Sequence, residues 1–341
     1  MIEVRSSASL SAQENSRVEA FLASNPKGLS PYHFFSYAKV LEDVFGYPNR
    51  SLVAMDADSG SIVGVLPQWI KGGTLESVPW RDRGGPICKS DEALKEFIQA
   101  SIQITKDERL KGFLWKDFET PLLKTQSSLV DVVVDLGAHQ ADSYWERLPS
   151  RVRNKVRIAE KAGLVFSRSS GDLQAGLRDF YFLFEQTRRR LGVPVYPAKL
   201  FESYFQNYPK AQIELFNVVL GKQTVASLIL LIAGDRGIDA FSCSSALGRK
   251  IHANDFLLFN VIRHCLLIGL KTFDFGSDSP LQTSLIEYKE KWLGARREVK
   301  NSHFGDVKEQ DHNQPVYELA KFVFRRLPGP LYRLASGMVV R

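Results

Sequence analysis

The stretch QIELFNVVLGKQTVASLILLIAGDRGIDAFSC, residues 212–243, decides the fold. Three strand-like runs, Gln212–Leu220, Thr224–Ile232 and Gly237–Cys243, are separated by Gly221-Lys222-Gln223 and Gly234-Asp235-Arg236-Gly237, so the segment reads as a meander. Downstream, Asn254 or Asp255 can cap an almost wholly apolar helix that runs to Ile268 and stops at Gly269. Thr272–Phe275 then reads as a buried strand, followed by a helix near Leu281–Trp292 and a strand near Arg296–Lys300. Upstream lie a basic helix over Leu148–Lys161, a strand at Leu164–Arg168, and helices over Asp172–Arg190 and Ala198–Tyr208. The order β-α-α-β-β-β-α-β-α-β predicts an α/β fold, of the α+β mixed-sheet kind, with helices on both faces.

The N-terminal half offers a weaker version of that order. Strand Ile2–Arg5 precedes the capping-box sequence Ser11-Ala12-Gln13-Glu14 and a helix over Phe34–Phe45. Strands at Ser51–Ala57, Ser61–Ile70 and Leu75–Val78, a helix near Glu92–Gln103, and strands at Gly112–Trp115 and Leu129–Val134 follow. The expected organisation is two topologically similar domains, 1–140 and 141–310, joined between Leu136 and Pro149, with a basic amphipathic tail over 311–341. The 341 residues suit two domains of ordinary size.

At 44% hydrophobic and 24% charged residues, the composition excludes disordered and fibrous classes. The longest apolar run, Val225–Ala233, is about half of a membrane span, and no apolar secretory segment follows Met1, so cytoplasmic residence is expected. Three cysteines without CxxC spacing argue against a disulfide framework or a metal site, and Cys243 reads as a small buried hydrophobe rather than a nucleophile. A net charge of +7 favours anionic partners.

Four ordered motifs make the pattern specific. Leu148-Pro149-Ser150-Arg151-Val152-Arg153-Asn154-Lys155-Val156-Arg157 with Glu160-Lys161-Ala162-Gly163-Leu164 resembles the basic segment that opens the second domain of FemAB-type transferases. Thr187-Arg188-Arg189-Arg190-Leu191-Gly192-Val193-Pro194 is similar to the end of that domain's first helix. His252-Ala253-Asn254-Asp255-Phe256-Leu257-Leu258 leading into Phe273-Asp274-Phe275-Gly276 resembles its helix–strand core. Tyr288-Lys289-Glu290-Lys291-Trp292-Leu293-Gly294-Ala295 is similar to its closing aromatic-Lys-x-x-aromatic-Gly-Ala signature. The resemblance covers residues 148–300 by motif and the N-terminal half by topology. It implies two tandem GNAT-like domains with helices on both faces of each sheet, the first degenerate, in the manner of proteins encoded beside exopolysaccharide or PEP-CTERM exosortase systems.

The activity implied is N-acyl transfer, acetyl or aminoacyl, to an amino group of a nucleotide- or lipid-linked sugar or another cell-envelope precursor. The implied donor is acetyl-CoA or another acyl-CoA, with aminoacyl-tRNA as the alternative and no metal. Two departures stand out. The GNAT pyrophosphate loop corresponds to Gly248–Asn254, where His252 occupies the place of the first loop glycine, and Ser277-Asp278 stands where relatives have Arg after Asp-Phe-Gly. These keep open a non-catalytic, anion-binding scaffold of the same fold.

For catalysis the residues single out Asp274, a carboxylate between Phe273 and Phe275 that burial would penalise, and Tyr288 and Lys289, the latter able to neutralise developing charge. Substrate contacts are assigned to Arg153, Asn154, Arg157, Arg189, Asn254 and Trp292, and donor contacts to Ser244, Ser245, Arg249 and Lys250. Bland alternatives accompany them: Asp274 paired with an arginine, Lys289 on a solvated helix face, Asn254 as a helix cap, and Ile238–Ser244 as a plain core strand. Residues 147, 151 and 155, like 153, 157 and 161, are spaced four apart, which predicts two basic rows on one helix, suited to a diphosphate or to nucleic acid, with tRNA secondary. The tail mixes Lys321, Arg325, Arg326, Arg333 and Arg341 with apolar residues, a pattern that can rest on the anionic inner face of a membrane or pack on the body.

Overall fold

The computed structural model describes residues 1–25, 27–169, 173–307 and 315–340. Along the chain the elements are β1 (Ile2–Ser6), α1 (Ala12–Ala23), α2 (Phe35–Phe45), β2 (Leu52–Asp56), β3 (Ile62–Leu66), β4 (Trp69–Lys71), β5 (Thr74–Glu76), β6 (Ile87–Cys88), α3 (Asp91–Asp107), β7 (Gly112–Trp115), β8 (Lys124–Asp135), α4 (Ala141–Arg147) and α5 (Ser150–Lys161). They continue as β9 (Leu164–Arg168), α6 (Leu173–Leu191), α7 (Ala198–Asn207), β10 (Ile213–Leu220), β11 (Gln223–Ala233), β12 (Arg236–Ser244), α8 (Ala246–Lys250), α9 (Ala253–Leu267), β13 (Thr272–Asp278), α10 (Thr283–Glu290), β14 (Gly294–Gly305), α11 (Pro315–Arg326) and α12 (Gly329–Val339). Two compact units interleave in sequence. The first takes Met1–Asp131, Ser277–Pro280 and Arg297–Glu309; the second takes Val132–Gly276, Leu281–Arg296 and Gln310–Arg341.

In the first unit, β1, β2, β3 and β6 form an antiparallel sheet, while β4, β5, β7 and β14 are neighbours in another. The run read as one strand over Ser61–Ile70 breaks at Pro67, which has no N–H for a ladder, so β3 and β4 enter different sheets. Helix α1 starts as its sequence demands: Glu14 N–H donates to Ser11 Oγ, and Ser11 N–H donates to Glu14 Oε2. Helix α3 lays Ala93 and Phe97 onto Leu52, Ala54, Leu66, Leu75, Phe113 and Trp115, the apolar core of this unit.

The same unit buries an ionic cluster. Arg83 and Arg297 both donate to the fully buried carboxylate of Asp131, which also accepts the hydroxyl of Ser277. Arg297 makes a two-pronged contact with Asp117 at 2.7 and 2.8 Å. Burial would push the nearby Asp82 carboxyl upward, but the charge of Arg83 and the bonds from Ser277 outweigh it and hold it below the usual carboxylate range.

In the second unit, β9, β10, β11 and β12 are antiparallel neighbours and β13 joins β12 in parallel. Alternation along β10 assigns the two faces. Glu214 and Phe216 meet His264 of α9, whereas Leu215 points to Gly176 of α6. Helices therefore cover both faces, and Phe180, Phe184, Phe201 and Phe241 interlock on the α6 side.

Several sequence-based expectations need adjustment. The basic helix starts at Ser150 rather than Leu148, because Pro149 sits at its N-cap, and Arg147 closes the separate helix α4. Only Arg151 and Lys155 remain of the row that was to include Arg147. The α9 cap is His252, not Asn254 or Asp255. The helix start assigned to Asp172 lies outside the described residues.

The Asp131 cluster yields a direct test. Arg83→Met keeps the stem but withdraws one of the cations facing a buried carboxylate, and should lower the unfolding free energy by about 3 kcal/mol in urea titration.

Candidate active site

In the second unit β12 and β13 pair for three residues: Arg236 with Thr272, Gly237 with Phe273 and Ile238 with Asp274. Beyond that point β12 stays on β11 as far as Ser244, opposite Ala226, while β13 has no further β12 partner. A register shift between Ile229 and Leu230 leaves Ala240 as an extra residue of β12 at the place where the strands part. The result is a wedge that opens where the β12–β13 ladder ends, after Ile238 and Asp274.

The helices that follow β12 present a second feature. His252, the N-cap of α9, has φ 60° and ψ 31° and makes no side-chain cap bond. This left-handed conformation is usual for glycine and costs another residue about 1 kcal/mol, histidine being among the side chains that tolerate it best. The histidine thus preserves the backbone turn that a loop glycine would make. At Gly248 a Cβ would lie 2.3 Å from the carbonyl oxygen of Val225, so this position has room for glycine only. An uncapped helix N-terminus behind such a turn fits a diphosphate, as a CoA donor carries.

Asp255, in the first turn of α9, is buried beside Lys155 of α5 at 3.6 Å and His252 at 3.8 Å. Burial pushes its carboxyl above the usual range, against the opposing pull of Lys155 and His252. Tyr288 of α10 lies with its ring centroid 5.9 Å from Lys155 Nζ. Burial pushes its phenol up, and the charges of Asp255 and Asp239 add to the effect. Its buried hydroxyl and the indole N–H of Trp292 one turn later lie close to each other without a well-formed hydrogen bond. Thus α5, β12, α9 and α10 converge on a carboxylate, a phenol and an ammonium.

Asp274 and Lys289 act on the backbone beside the wedge. The fully buried carboxylate of Asp274 accepts the Gly276 N–H at 2.8 Å and faces Arg236 at 3.4 Å, the arginine pairing left open by the sequence. Lys289 is buried rather than on a solvated face, and its Nζ donates to the carbonyls of Phe275 at 2.9 Å and Gly276 at 3.1 Å.

The other sequence candidates are dispersed. On α5, Asn154 and Arg157 are exposed, Arg157 stacks over Trp145, and Arg153 is half-buried with its Nε unbonded. Asn254 is the second residue of α9. Arg189 donates to the Leu327 carbonyl at 2.5 Å. Ser245 Oγ caps α8, Arg249 Nη1 returns to the Ser244 carbonyl at 2.9 Å, and Lys250 is exposed. Sequence reasoning missed Asp255 and Lys155 as site groups. A charge followed by Phe256-Leu257-Leu258 in an apolar helix was the available signal for Asp255. Cys243 is buried, its Sγ 3.6 Å from the Phe180 carbonyl, and burial pushes its thiol well up.

Residues 147–290 match the acetyltransferase (GNAT) domain family. The fold resembles that of FemX, with a TM-score of 0.67 at 17% identity over 94% of this chain and 100% of that one. It also resembles L-PGS from Bacillus licheniformis, with a TM-score of 0.57 at 14% identity over 92% and 97%. A tandem GNAT protein from the clavulanic acid biosynthesis pathway gives a TM-score of 0.50 at 10% identity over 90% and 100%. No curated protein matches the sequence. Residues 147–290 are thus a GNAT acetyltransferase domain by family match, and the fold of the chain resembles a FemAB-like tandem GNAT arrangement.

Two consequences follow for the side chains around the wedge. Lys289→Met would leave the Phe275 and Gly276 carbonyls without their ammonium, and should lower stability by about 2 kcal/mol in denaturant titration while the protein remains folded at neutral pH. Iodoacetamide should leave Cys243 and Cys265 unlabelled in the native protein, since burial raises both thiols, Cys265 to about 12; peptide mass mapping before and after unfolding reads this.

Proposed function

We propose that the protein is an N-acyltransferase acting on an amino group of a nucleotide- or lipid-linked sugar or related cell-envelope precursor. The observation that carries the reading is the buried Tyr288 hydroxyl, which has no well-formed hydrogen bond and is set near the Asp255 carboxylate where the β12–β13 ladder ends. A buried hydroxyl without a partner costs about 1–3 kcal/mol, a cost that a bound substrate can remove.

The residues divide the work of acyl transfer. A backbone N–H of β12 past the end of the β12–β13 ladder polarises the acyl carbonyl. As the new C–N bond forms, the amine loses a proton to Asp255, whose raised carboxyl is a better base than an ordinary aspartate. As the bond to the donor breaks, the departing group takes a proton from Tyr288, whose raised phenol stays protonated at neutral pH. Lys155 balances the charge between them. Asp274 and Lys289 position the β13 side, and Arg153, Asn154 and Arg157 suit the acceptor's phosphate.

For the donor, the turn at His252 with the N-terminus of α9, together with Arg249 and Lys250, would hold the diphosphate of acetyl-CoA or another acyl-CoA; CoA would supply the activated thioester. An aminoacyl-tRNA donor is the second reading, favoured by the exposed cations Arg151 and Arg157 of α5. Native mass spectrometry with acetyl-CoA, UDP-amino sugars and aminoacyl-tRNA separates the two, and binding of none of them would remove both.

Tyr288→Phe gives the sharpest test. Because the hydroxyl makes no well-formed hydrogen bond in the free protein, its loss should leave the melting temperature nearly unchanged, while single-turnover transfer falls about 100-fold. Near-normal transfer by the folded variant would take Tyr288 out of the mechanism.

The pH dependence has a fixed sign. Asp255 works deprotonated, so kcat/KM should rise with pH through a value above the ordinary aspartate range. Asp255→Asn should abolish that acid limb and most of the rate; a limb that persists in this variant belongs to another group.

A further inference from the structure

We propose that the outward face of α11 and α12 is a docking surface for an anionic lipid bilayer. Each helix of the pair has two apolar sides. On the inner sides, Phe324 and Tyr332 meet edge to face, and the Tyr332 hydroxyl donates to the Val193 carbonyl at 2.9 Å. Ser336 Oγ accepts the Val195 N–H at 3.1 Å, and Arg333 grips Glu185 through two bonds. These contacts fasten the pair to the second unit and account for one apolar side of each helix.

The other sides face solvent. In α11, Leu319, Phe322, Val323 and Arg326 fall at i, i+3, i+4 and i+7, and Leu319 is 64% and Phe322 52% exposed. In α12, Leu331, Leu334 and Met338 fall at i, i+3 and i+7 and are 52%, 59% and 70% exposed. Single exposed apolar residues are ordinary on a protein surface, but a stripe repeated on two consecutive helices is not. Among the described residues, no helix is long and apolar enough to cross a membrane, so the stripes suit a helix lying in the interface.

Charge selects the occupant. Residues 319–340 contain Lys321, Arg325, Arg326 and Arg333 and no acidic residue. Arg326 stacks on Phe322 with 3.5 Å between its Cζ and the ring centroid, so a cation sits on the apolar stripe itself. Arg249 and Arg325 both lie near Arg190, and burial together with these two like charges pulls the Arg190 guanidinium down. Such crowding of cations repels a second copy of this surface and attracts acidic headgroups. Neither the acyl donor nor the acceptor enters this inference.

The test is flotation of the full-length protein with vesicles of phosphatidylcholine alone and with phosphatidylglycerol added. Binding is expected to the mixed vesicles, to weaken with salt, and to be slight on phosphatidylcholine alone. Each cation near an anionic surface strengthens binding about fivefold, so R325E/R326E should weaken it by more than about 20-fold. L334E/M338E should weaken it at least as much, and because both side chains are exposed the variant should melt like the parent. Absence of binding to the mixed vesicles, or binding that survives L334E/M338E, would overturn the proposal. So would a concentration-dependent dimer in sedimentation that L334E/M338E dissociates.

Discussion

Everything at the candidate site depends on the parting of β12 from β13. Two parallel strands that separate after three residue pairs leave backbone donors and acceptors with no ladder to satisfy them, and such groups are costly when buried. On the β13 side the chain supplies the missing partners itself. Lys289 takes the carbonyls of Phe275 and Gly276, and Asp274 takes the Gly276 N–H. On the β12 side, pairing with β11 secures one edge as far as Ser244. Asp274 and Lys289, which the sequence singles out for catalysis, thus bond the backbone of β13 where the strands part.

The same parting explains how much could be read beforehand. The meander was legible because alternating and apolar runs between turn residues have few other solutions, and strand β9 was placed at its observed limits. The capping box at Ser11 and Glu14 is a local signal and was equally plain. Arg147 was misassigned because spacing of four says nothing about whether a helix is continuous, and Pro149 interrupts it. Asp255 read only as a cap because a carboxylate in a first turn is ordinarily solvated. Its burial comes from α5 crossing α9, with Lys155 reaching across from a helix about a hundred residues earlier in the chain. Tertiary proximity of that kind has no local signature.

His252 shows the limit of motif reading from the opposite direction. A histidine in place of a glycine looks like loss of the phosphate-binding turn, yet the backbone at this position is left-handed all the same. Side-chain identity and backbone conformation are separate constraints, and the turn survives when the strain of about 1 kcal/mol is small beside the packing of α8 and α9 against the sheet.

The contrast between two sets of buried polar groups separates support from chemistry. Asp131 and Asp274 are fully enclosed and are met by cations and hydrogen-bond donors within the chain, so their cost is offset in the free protein. Around the wedge the balance is incomplete: Tyr288 Oη, Trp292 Nε1 and Arg153 Nε are buried without well-formed bonds, and Asp255 is only partly compensated by Lys155 and His252. Groups satisfied by the fold gain nothing from a ligand, whereas groups left unsatisfied gain on binding and favour the liganded state. The atoms left without a well-formed bond, on which the proposed function draws, lie on α5 and on the segment from α10 to Trp292, and not on Asp274, the carboxylate that the sequence alone makes most conspicuous.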